Sequence, residues 1–230
     1  MITLNAKKYD STVDFDDILP FWDKLSDEQK DLLRNNTVSA KYTKNSNIVS
    51  DTCADSGVIY VKSGMLRAYL LSEEGREVTL YRMSAGDFCV LSNACASMDE
   101  TFDIFVDAEK DSDILQIGAN CFSKIVSENI YAENFSLKVS ASRLSEVIWA
   151  LEQILFMSFD KRLAIFLIDE IAHSGGNTVY MTHEQIAKHM GSAREVVSRM
   201  LKYFSSEGMV KLSRGGVTVT DKERLRRLTY

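Results

Sequence analysis

Five polar side chains that can bond the exposed edges of DNA bases lie close together in the sequence: Arg194, Glu195, Ser198, Arg199 and Lys202. An arginine guanidinium can donate two hydrogen bonds to guanine, and a glutamate carboxylate can accept one from the amino group of cytosine. Their spacing places them on the first turns of a helix, turned away from its apolar positions. The set predicts base recognition, although a charged, solvated helix face is the alternative that so short a pattern leaves open.

Two short helices joined by a glycine turn are needed to position these side chains. Thr182 is placed to cap the first helix, Gly191 to end it and Ser192 to cap the second. Apolar residues then recur three and four positions apart along the second helix: Val196, Val197, Met200, Leu201 and Phe204. This pattern is typical of a helix-turn-helix, whose second helix enters the major groove. The two predicted caps are included among the DNA-binding residues.

A β-hairpin is predicted after the second helix. Two β-rich runs, 209–212 and 217–220, flank the turn Ser213-Arg214-Gly215-Gly216, and its glycines suit a tight hairpin. Asp221 can then cap a final helix over 222–228. Helix, turn, helix and hairpin in this order predict a winged-helix DNA-binding module, in which Arg214 at the tip of the wing contacts a phosphate.

The charge of the chain is divided unevenly. The 230 residues carry a formal net charge of -6, but the segment from Gly175 to the C-terminus has ten basic and five acidic residues, a net charge of +5. The remainder has 17 basic and 28 acidic residues, a net charge of -11. A basic C-terminal domain beside an acidic N-terminal one suits a DNA-binding part joined to a part that does not bind DNA.

The sequence lacks the features of a membrane protein, of a secreted protein and of an enzyme. No apolar run reaches the length of a membrane span, and the start of the chain has no basic stretch followed by an apolar one, so we expect a cytoplasmic protein without membrane contact. A Gly-rich phosphate loop, a His/Cys spacing suited to a metal and a nucleophile motif are also missing. We therefore expect neither an enzyme nor a metal site.

Short β-rich runs dominate the first half of the chain. They cover 58–61, 65–71, 78–83, 104–106 and 114–117, with turn residues between them and no long helix. Runs at this spacing predict an antiparallel β-roll or jelly-roll barrel. The fold class is therefore α+β: an N-terminal roll, a long dimerisation helix and a C-terminal winged helix-turn-helix.

A long helix is predicted between the roll and the winged helix. Apolar residues alternate at spacings of four and three along it, and we assign a dimer interface to Leu137, Ala141, Leu144, Ile148, Leu151 and Leu155. A second apolar set, which includes Phe135, Val147, Ile154 and Phe156, lies off this row and could pack on the roll. A core helix of a monomer is the alternative. The predicted domains are residues 1–125 (sensor), 126–157 (dimerisation helix) and 158–230 (DNA binding).

The order of roll, long helix and winged helix resembles the Crp/Fnr family of bacterial transcription regulators over essentially the whole chain. The residues that carry the resemblance are Val61 to Asp87 and the stretch G-S-A-R-E-V-V-S-R-M-L-K from Gly191 to Lys202. By this resemblance, Arg194, Glu195 and Arg199 would read a half-site, and Ser198 is typical of the Fnr branch. The resemblance also implies a homodimer on double-stranded DNA with a two-fold operator.

The resemblance does not extend to the ligand site of the cyclic-nucleotide receptors. No arginine lies between Arg82 and Arg143, so a buried cyclic phosphate would lack its guanidinium partner and cyclic AMP is not expected. Cys89 and Cys95 are candidates for contact with an effector or for a redox role, and buried inert thiols are the alternative. The histidines His173, His183 and His189 are interpreted as helix-surface residues.

These observations together predict a transcription regulator controlled by an effector or redox signal in the roll. The rival hypothesis is a constitutive DNA-binding repressor or architectural protein whose roll serves only for dimerisation. Acidic loops are candidates for contact with RNA polymerase. The sequence leaves open the cofactor, the identity of the small-molecule effector, the target genes and whether transcription is activated or repressed.

Overall fold

The structure, a computed structural model, describes residues 7–8, 15–49, 57–73, 75–90 and 104–230. These residues belong to two compact units, each described by itself below. The first unit comprises the chain up to Leu70 together with Leu80–Ile148, and the second comprises Leu71–Thr79 and Trp149–Tyr230. Among the helices that the structure describes, none combines the length and apolar character needed to span a membrane.

Two antiparallel sheets form the β-roll. One contains, in spatial order, β1 (Lys7–Lys8), β2 (Thr37–Tyr42), β9 (Ser112–Ile117), β4 (Val58–Ser63) and β7 (Phe88–Val90). The other contains β3 (Asn47–Val49), β8 (Ile104–Ala108), β5 (Met65–Leu71) and β6 (Glu77–Ser84). Each β-rich run predicted from the sequence lies within one of these strands, and the predicted antiparallel roll and α+β fold class are confirmed.

The side chains of β4 divide between two hydrophobic clusters, because successive side chains of a strand point to opposite faces of its sheet. In β4, Ile59 and Val61 join a cluster that includes Leu66 and Met83 of the other sheet. Val58 of the same strand joins a different cluster, in which Phe122 is fully buried. The roll is therefore filled by apolar side chains on one face of β4 and covered by helices on the other.

The helices that the structure describes in the first unit are a short 3-10 helix (Trp22–Lys24), α1 (Asp27–Asn35), α2 (Ala119–Glu128) and most of α3 (Ile130–Phe156). Phe135 packs against the cluster beneath the helices, and Val147 packs against the cluster inside the roll. Both therefore pack on the roll as predicted. Ile154 and Phe156, the other two members of this set, are 41% and 82% exposed, and packing of either on the roll stays a prediction.

The second unit contains the C-terminal helices and a small sheet. They are α4 (Phe159–Ser174), β10 (Thr178–Val179), α5 (His183–Met190), α6 (Arg194–Ser206), β11 (Val210–Ser213), β12 (Gly216–Val219) and α7 (Lys222–Leu228). The sheet order is β10-β12-β11, and all pairs are antiparallel. Leu167 of α4, Ile186 of α5 and Leu201 of α6 meet in one buried cluster that fixes the three helices together.

Most of the predicted helix ends are confirmed, and one is wrong. The Thr182 side chain accepts from the Gln185 amide in a capping box, and Gly191 ends α5 in the left-handed conformation. Ser192 does not cap α6, whose first residue is Arg194 and whose N-cap is Ala193 without a side-chain bond. The Ser192 amide instead donates to the Ala187 carbonyl at 3.0 Å, which keeps Ser192 in the turn.

Candidate nucleic-acid interface

The predicted recognition helix α6 has one buried face and one polar face. Val197, Leu201 and Phe204 are fully buried against the core of the second unit. The five predicted base-reading residues line a single shallow depression on the opposite side: Arg194, Glu195, Ser198, Arg199 and Lys202. Ser198 is half-buried and the other four are exposed. The prediction that Val196 belongs to the buried apolar stripe is wrong, since 38% of its surface is exposed.

The cations of the polar face, Arg194, Arg199 and Lys202, have no ion-pair partner among the described residues. Two other exposed arginines of the unit, Arg224 and Arg226, do form ion pairs: Arg226 is 2.9 Å from the Glu223 carboxylate. Cations that remain unpaired on one helix face are available to an external anion, and the DNA backbone supplies such anions.

A hydrogen bond that the sequence did not predict joins the two helices of the motif. His183 Nδ1, at the start of α5, lies 2.8 Å from Ser198 Oγ on α6. His183 is half-buried at the start of α5. Burial, with Arg194 and Lys202 adding to the effect, lowers the pKa of His183 below its ordinary value, and the ring is neutral at pH 7.

The predicted wing is present as the β11–β12 hairpin. Ser213 pairs with Gly216 across a two-residue turn, in which Gly215 has a φ of 78°. Arg214, the other turn residue, is exposed at the tip. His183, Arg194, Ser213 and Gly215 line a second depression, between the wing and the two helices. The wing therefore borders the polar face of α6, as DNA contact by both elements requires.

The two residues predicted both as caps and as DNA contacts lie at the edges of this surface. The Thr182 hydroxyl, besides accepting from the Gln185 amide at 3.2 Å, donates to Gln185 Oε1 at 3.1 Å. Its hydrogen-bonding capacity is therefore largely used within α5. Ser192 is half-buried in the turn. Direct contact of either side chain with DNA stays a prediction.

An apolar row runs along α3. The large residues of the predicted dimer interface are 48% to 68% exposed in the single chain: Leu137, Leu144, Ile148, Leu151 and Leu155. Ala141 of the same row is exposed as well. Exposed apolar side chains aligned on one helix face are typical of an interaction surface.

The comparisons with known proteins agree with this architecture. Residues 161–228 match the family described as the Crp-like helix-turn-helix domain, and residues 40–129 match the cyclic nucleotide-binding domain. A solved structure of a Crp/Fnr-family protein from Eubacterium rectale is 42% identical, covers 93% of this chain and 99% of its own, and superposes with a TM-score of 0.88. The chain belongs to the Crp/Fnr family. It is a DNA-binding transcription regulator with a cyclic nucleotide-binding domain. The family that the sequence predicted is therefore confirmed.

More distant relatives of this Crp/Fnr regulator bear names that mention cyclic AMP. The cyclic AMP receptor protein of Thermus thermophilus is 23% identical over 212 residues, which are 92% of this chain and 97% of the relative. The cAMP-activated global transcriptional regulator CRP of Escherichia coli is 22% identical over 179 residues, which are 74% and 83% of the two chains.

The β-roll of this Crp/Fnr regulator contains one of the two cysteines predicted to contact an effector. Cys89 is 1% exposed inside the roll, and its Sγ lies 3.4 Å from the Tyr81 hydroxyl. Burial and the neighbouring Cys89 raise the pKa of Tyr81. Cys95 lies outside the described residues. The proposed effector or redox role of the two cysteines stays a prediction.

A guanidinium from the long helix reaches the segment that precedes Cys89. Arg143 of α3 donates to the Phe88 carbonyl from Nε at 3.1 Å and from Nη2 at 2.9 Å. Its Nη1 lies 2.7 Å from a Glu146 carboxylate oxygen, and its Nη2 lies 3.5 Å from Asp87. Burial is the main cause of the raised pKa of Glu146, and Arg143 opposes it. The guanidinium is therefore held by one carbonyl and two carboxyl groups.

Proposed function

We propose that this regulator is a homodimer that reads a two-fold operator through α6 and responds, through its β-roll, to a signal other than cyclic AMP. The observation that carries the proposal is the polar face of α6: five side chains suited to DNA in one depression, opposite a fully buried apolar face. The sequence alone leaves open an incidental charged surface. Among the residues that the structure describes, none pairs with Arg194, Arg199 or Lys202, which argues against that alternative.

The chemistry of each residue on the polar face suggests its role. Arg194 and Arg199 can donate two hydrogen bonds each to guanine, and Glu195 can accept from cytosine. Lys202, one helical turn further from the start of α6, and Arg214 on the wing suit phosphate contacts, which position the protein without reading sequence. We also assign Thr182 and Ser192 to contacts with the DNA backbone.

Dimerisation through α3 follows from its length and its exposed row. The 27 residues of the helix extend over about 40 Å at the usual rise per residue. Pairing two copies along the row from Leu137 to Leu155 would bury side chains that the single chain leaves in water. The two-fold axis of such a dimer would present two copies of α6 to successive major grooves.

We propose that the effector is not cyclic AMP, because a negative cyclic phosphate bound in the roll would lack a guanidinium partner. The segment between Arg82 and Arg143 has no arginine. Arg143 itself is bonded to Glu146 and lies near Asp87, so a cyclic phosphate would have to displace two carboxylates from it. Cys89 and Cys95 are the candidate contacts for a redox signal or a neutral ligand. Contact with RNA polymerase is proposed for the acidic loops.

The direct test of base reading is selection of binding sites from random DNA duplexes by the full chain. Replacement of Arg194 or Arg199 by Ala should remove the preference at particular base pairs, since each bidentate contact contributes about 1 to 3 kcal/mol of discrimination. Arg226→Ala, which removes an arginine paired on α7, is the control and should leave the selected sequence unchanged. An unchanged sequence preference in both α6 variants would contradict the assignment.

The test of sensing compares thermal unfolding with and without candidate compounds, cyclic nucleotides included. Specific stabilisation by a compound other than a cyclic nucleotide, together with an altered affinity for the operator, is expected. Stabilisation by cyclic AMP alone would contradict the proposed effector class. Full operator binding by the bare protein, unaffected by every compound and by thiol oxidants, would favour the constitutive repressor instead.

A further inference from the structure

We propose that His183 determines part of the DNA specificity by fixing the direction of the Ser198 hydroxyl, which then faces the base as a hydrogen-bond acceptor only. The proposal rests on the proposed function, in which α6 reads the bases. It begins from the 2.8 Å contact between His183 Nδ1 and Ser198 Oγ, which joins the first residue of α5 to the reading face of α6. His183 would thus be a positioning residue.

A serine hydroxyl is normally an ambiguous reader of DNA. It has one proton and two lone pairs, and it rotates to donate to one base or to accept from another. For this reason serine alone discriminates poorly among base pairs. A second group that takes up the hydroxyl proton removes the ambiguity, because the oxygen then has only lone pairs left for the DNA.

The surroundings of His183 favour a ring that accepts at Nδ1. The ring is neutral at pH 7, because burial and two nearby cations lower its pKa. Those cations, Arg194 and Lys202, lie on α6, the helix that Nδ1 contacts. A lone pair directed toward positive charge is stabilised, whereas an N–H directed toward it is destabilised. This charge distribution favours the tautomer with its proton on Nε2, in which Ser198 donates to Nδ1.

The base edges that an acceptor-only Ser198 can bind are limited. The exocyclic amino groups of adenine and cytosine donate in the major groove, whereas the O6 and N7 atoms of guanine and the O4 atom of thymine only accept. We therefore expect one base-pair position of each half-site, which is one column in the alignment of selected sequences, to favour adenine or cytosine on the strand that Ser198 contacts. That column is the one whose preference is lost in Ser198→Ala.

The experiment combines site selection with five variants of the full chain, one of which is a control. His183→Ala should lose the same column as Ser198→Ala, with affinity for the preferred base falling about tenfold, and the double variant should lose no more than either single variant. His183→Asn retains an amide oxygen near the Nδ1 position and should restore the preference. His173→Ala is the matched control, because the Nδ1 atom of His173 bonds to the Asp169 carbonyl on α4 and not to α6.

Failure of this inference differs from failure of the proposed function. If the wild type selects a two-fold sequence but His183→Ala retains the Ser198 column, or if that column favours guanine or thymine, the role of His183 is refuted and base reading by α6 stands. If the wild type binds DNA but selects no sequence, both are refuted. Nitrogen NMR of the free protein gives an independent result: a proton on Nδ1 of His183 at neutral pH would overturn the inference without reference to DNA.

Discussion

The Arg143 guanidinium of α3 donates two hydrogen bonds to one acceptor, the backbone carbonyl oxygen of Phe88 in β7. The same guanidinium lies over the Tyr81 ring, 5.3 Å from its centre, and pairs with Glu146 at 2.7 Å. Only 14% of the Arg143 side chain is exposed. A single side chain thus ties the long helix to the strand that contains Cys89.

Replacement of Arg143 by Ala should lower the free energy of unfolding of the first unit by about 2 kcal/mol, because hydrogen bonds that involve a charged group are lost and the Phe88 carbonyl is left without its donor. Arg143→Lys should recover part of the loss, since an ammonium retains the charge but not the two-pronged geometry. Calorimetric unfolding measures both. Lys41→Ala is the control: its pair with Asp113 is long, at 3.9 Å, and Lys41 is largely exposed. An Arg143→Ala effect no larger than that of Lys41→Ala would contradict the prediction.

Charge placed in the apolar row of α3 should separate the proposed dimer. Leu144→Glu puts a carboxylate at a position that a paired copy would bury, once in each subunit, and burial of a leucine contributes about 2 kcal/mol. Loss of both leucines predicts a dissociation constant raised on the order of 1,000-fold. Analytical ultracentrifugation over a concentration series measures it. Ser142→Glu adds the same charge at an exposed position off the row and should leave the dimer intact; equal sedimentation of all three proteins would refute this interface.

The elements of the motif could be predicted because their signals are local. Helical period alone separates the exposed Arg199 from the buried Leu201, and Thr182 and Gly191 bound α5 through residues within one turn. Contacts between distant residues were not predictable in this way. The bond between His183 and Ser198 depends on the angle of the turn between two helices, and the bond between Arg143 and Phe88 spans 55 positions.

The Ser192 error has the same physical origin. Serine is a common N-cap, and the sequence offered no reason to pass over it. The structure keeps Ser192 in the turn because its amide reaches back to the Ala187 carbonyl, an interaction fixed by the left-handed Gly191. The N-cap of helix α6 is therefore Ala193, one residue later than predicted, and it provides no side-chain cap.

The turn itself gives a prediction about stability. Gly191 has a φ of 59°, so Gly191→Ala forces a side chain into the left-handed region and should lower the free energy of unfolding by at least about 1 kcal/mol. Gly176→Ala is the matched control, because Gly176 has no positive φ and nothing lies within 4 Å of an added Cβ. Denaturant unfolding compares the two. Equal stability of both variants would show that the turn does not require glycine.

The Cys121 thiol predicts a dependence of stability on pH. Burial raises its pKa from 9.0 to about 11, and nearby Lys124 opposes the shift. Between these values the unfolded chain releases a proton that the folded chain keeps, so stability falls as the pH rises from about 9 to about 11, by an amount on the order of 2 kcal/mol. Below pH 9 both states hold the proton and no dependence arises from this group.

The measurement is the difference in free energy of unfolding between the wild type and Cys121→Ala, followed from about pH 8 to about pH 10.5. Taking the difference cancels the titration of tyrosines and lysines that both proteins share. The free energy of unfolding of the wild type should fall relative to that of the variant as the pH rises, because only the wild type must bury a thiol that would otherwise ionise. A constant difference across the range would mean that Cys121 titrates in the folded protein as it does in water, contrary to its burial beside the Leu32 carbonyl.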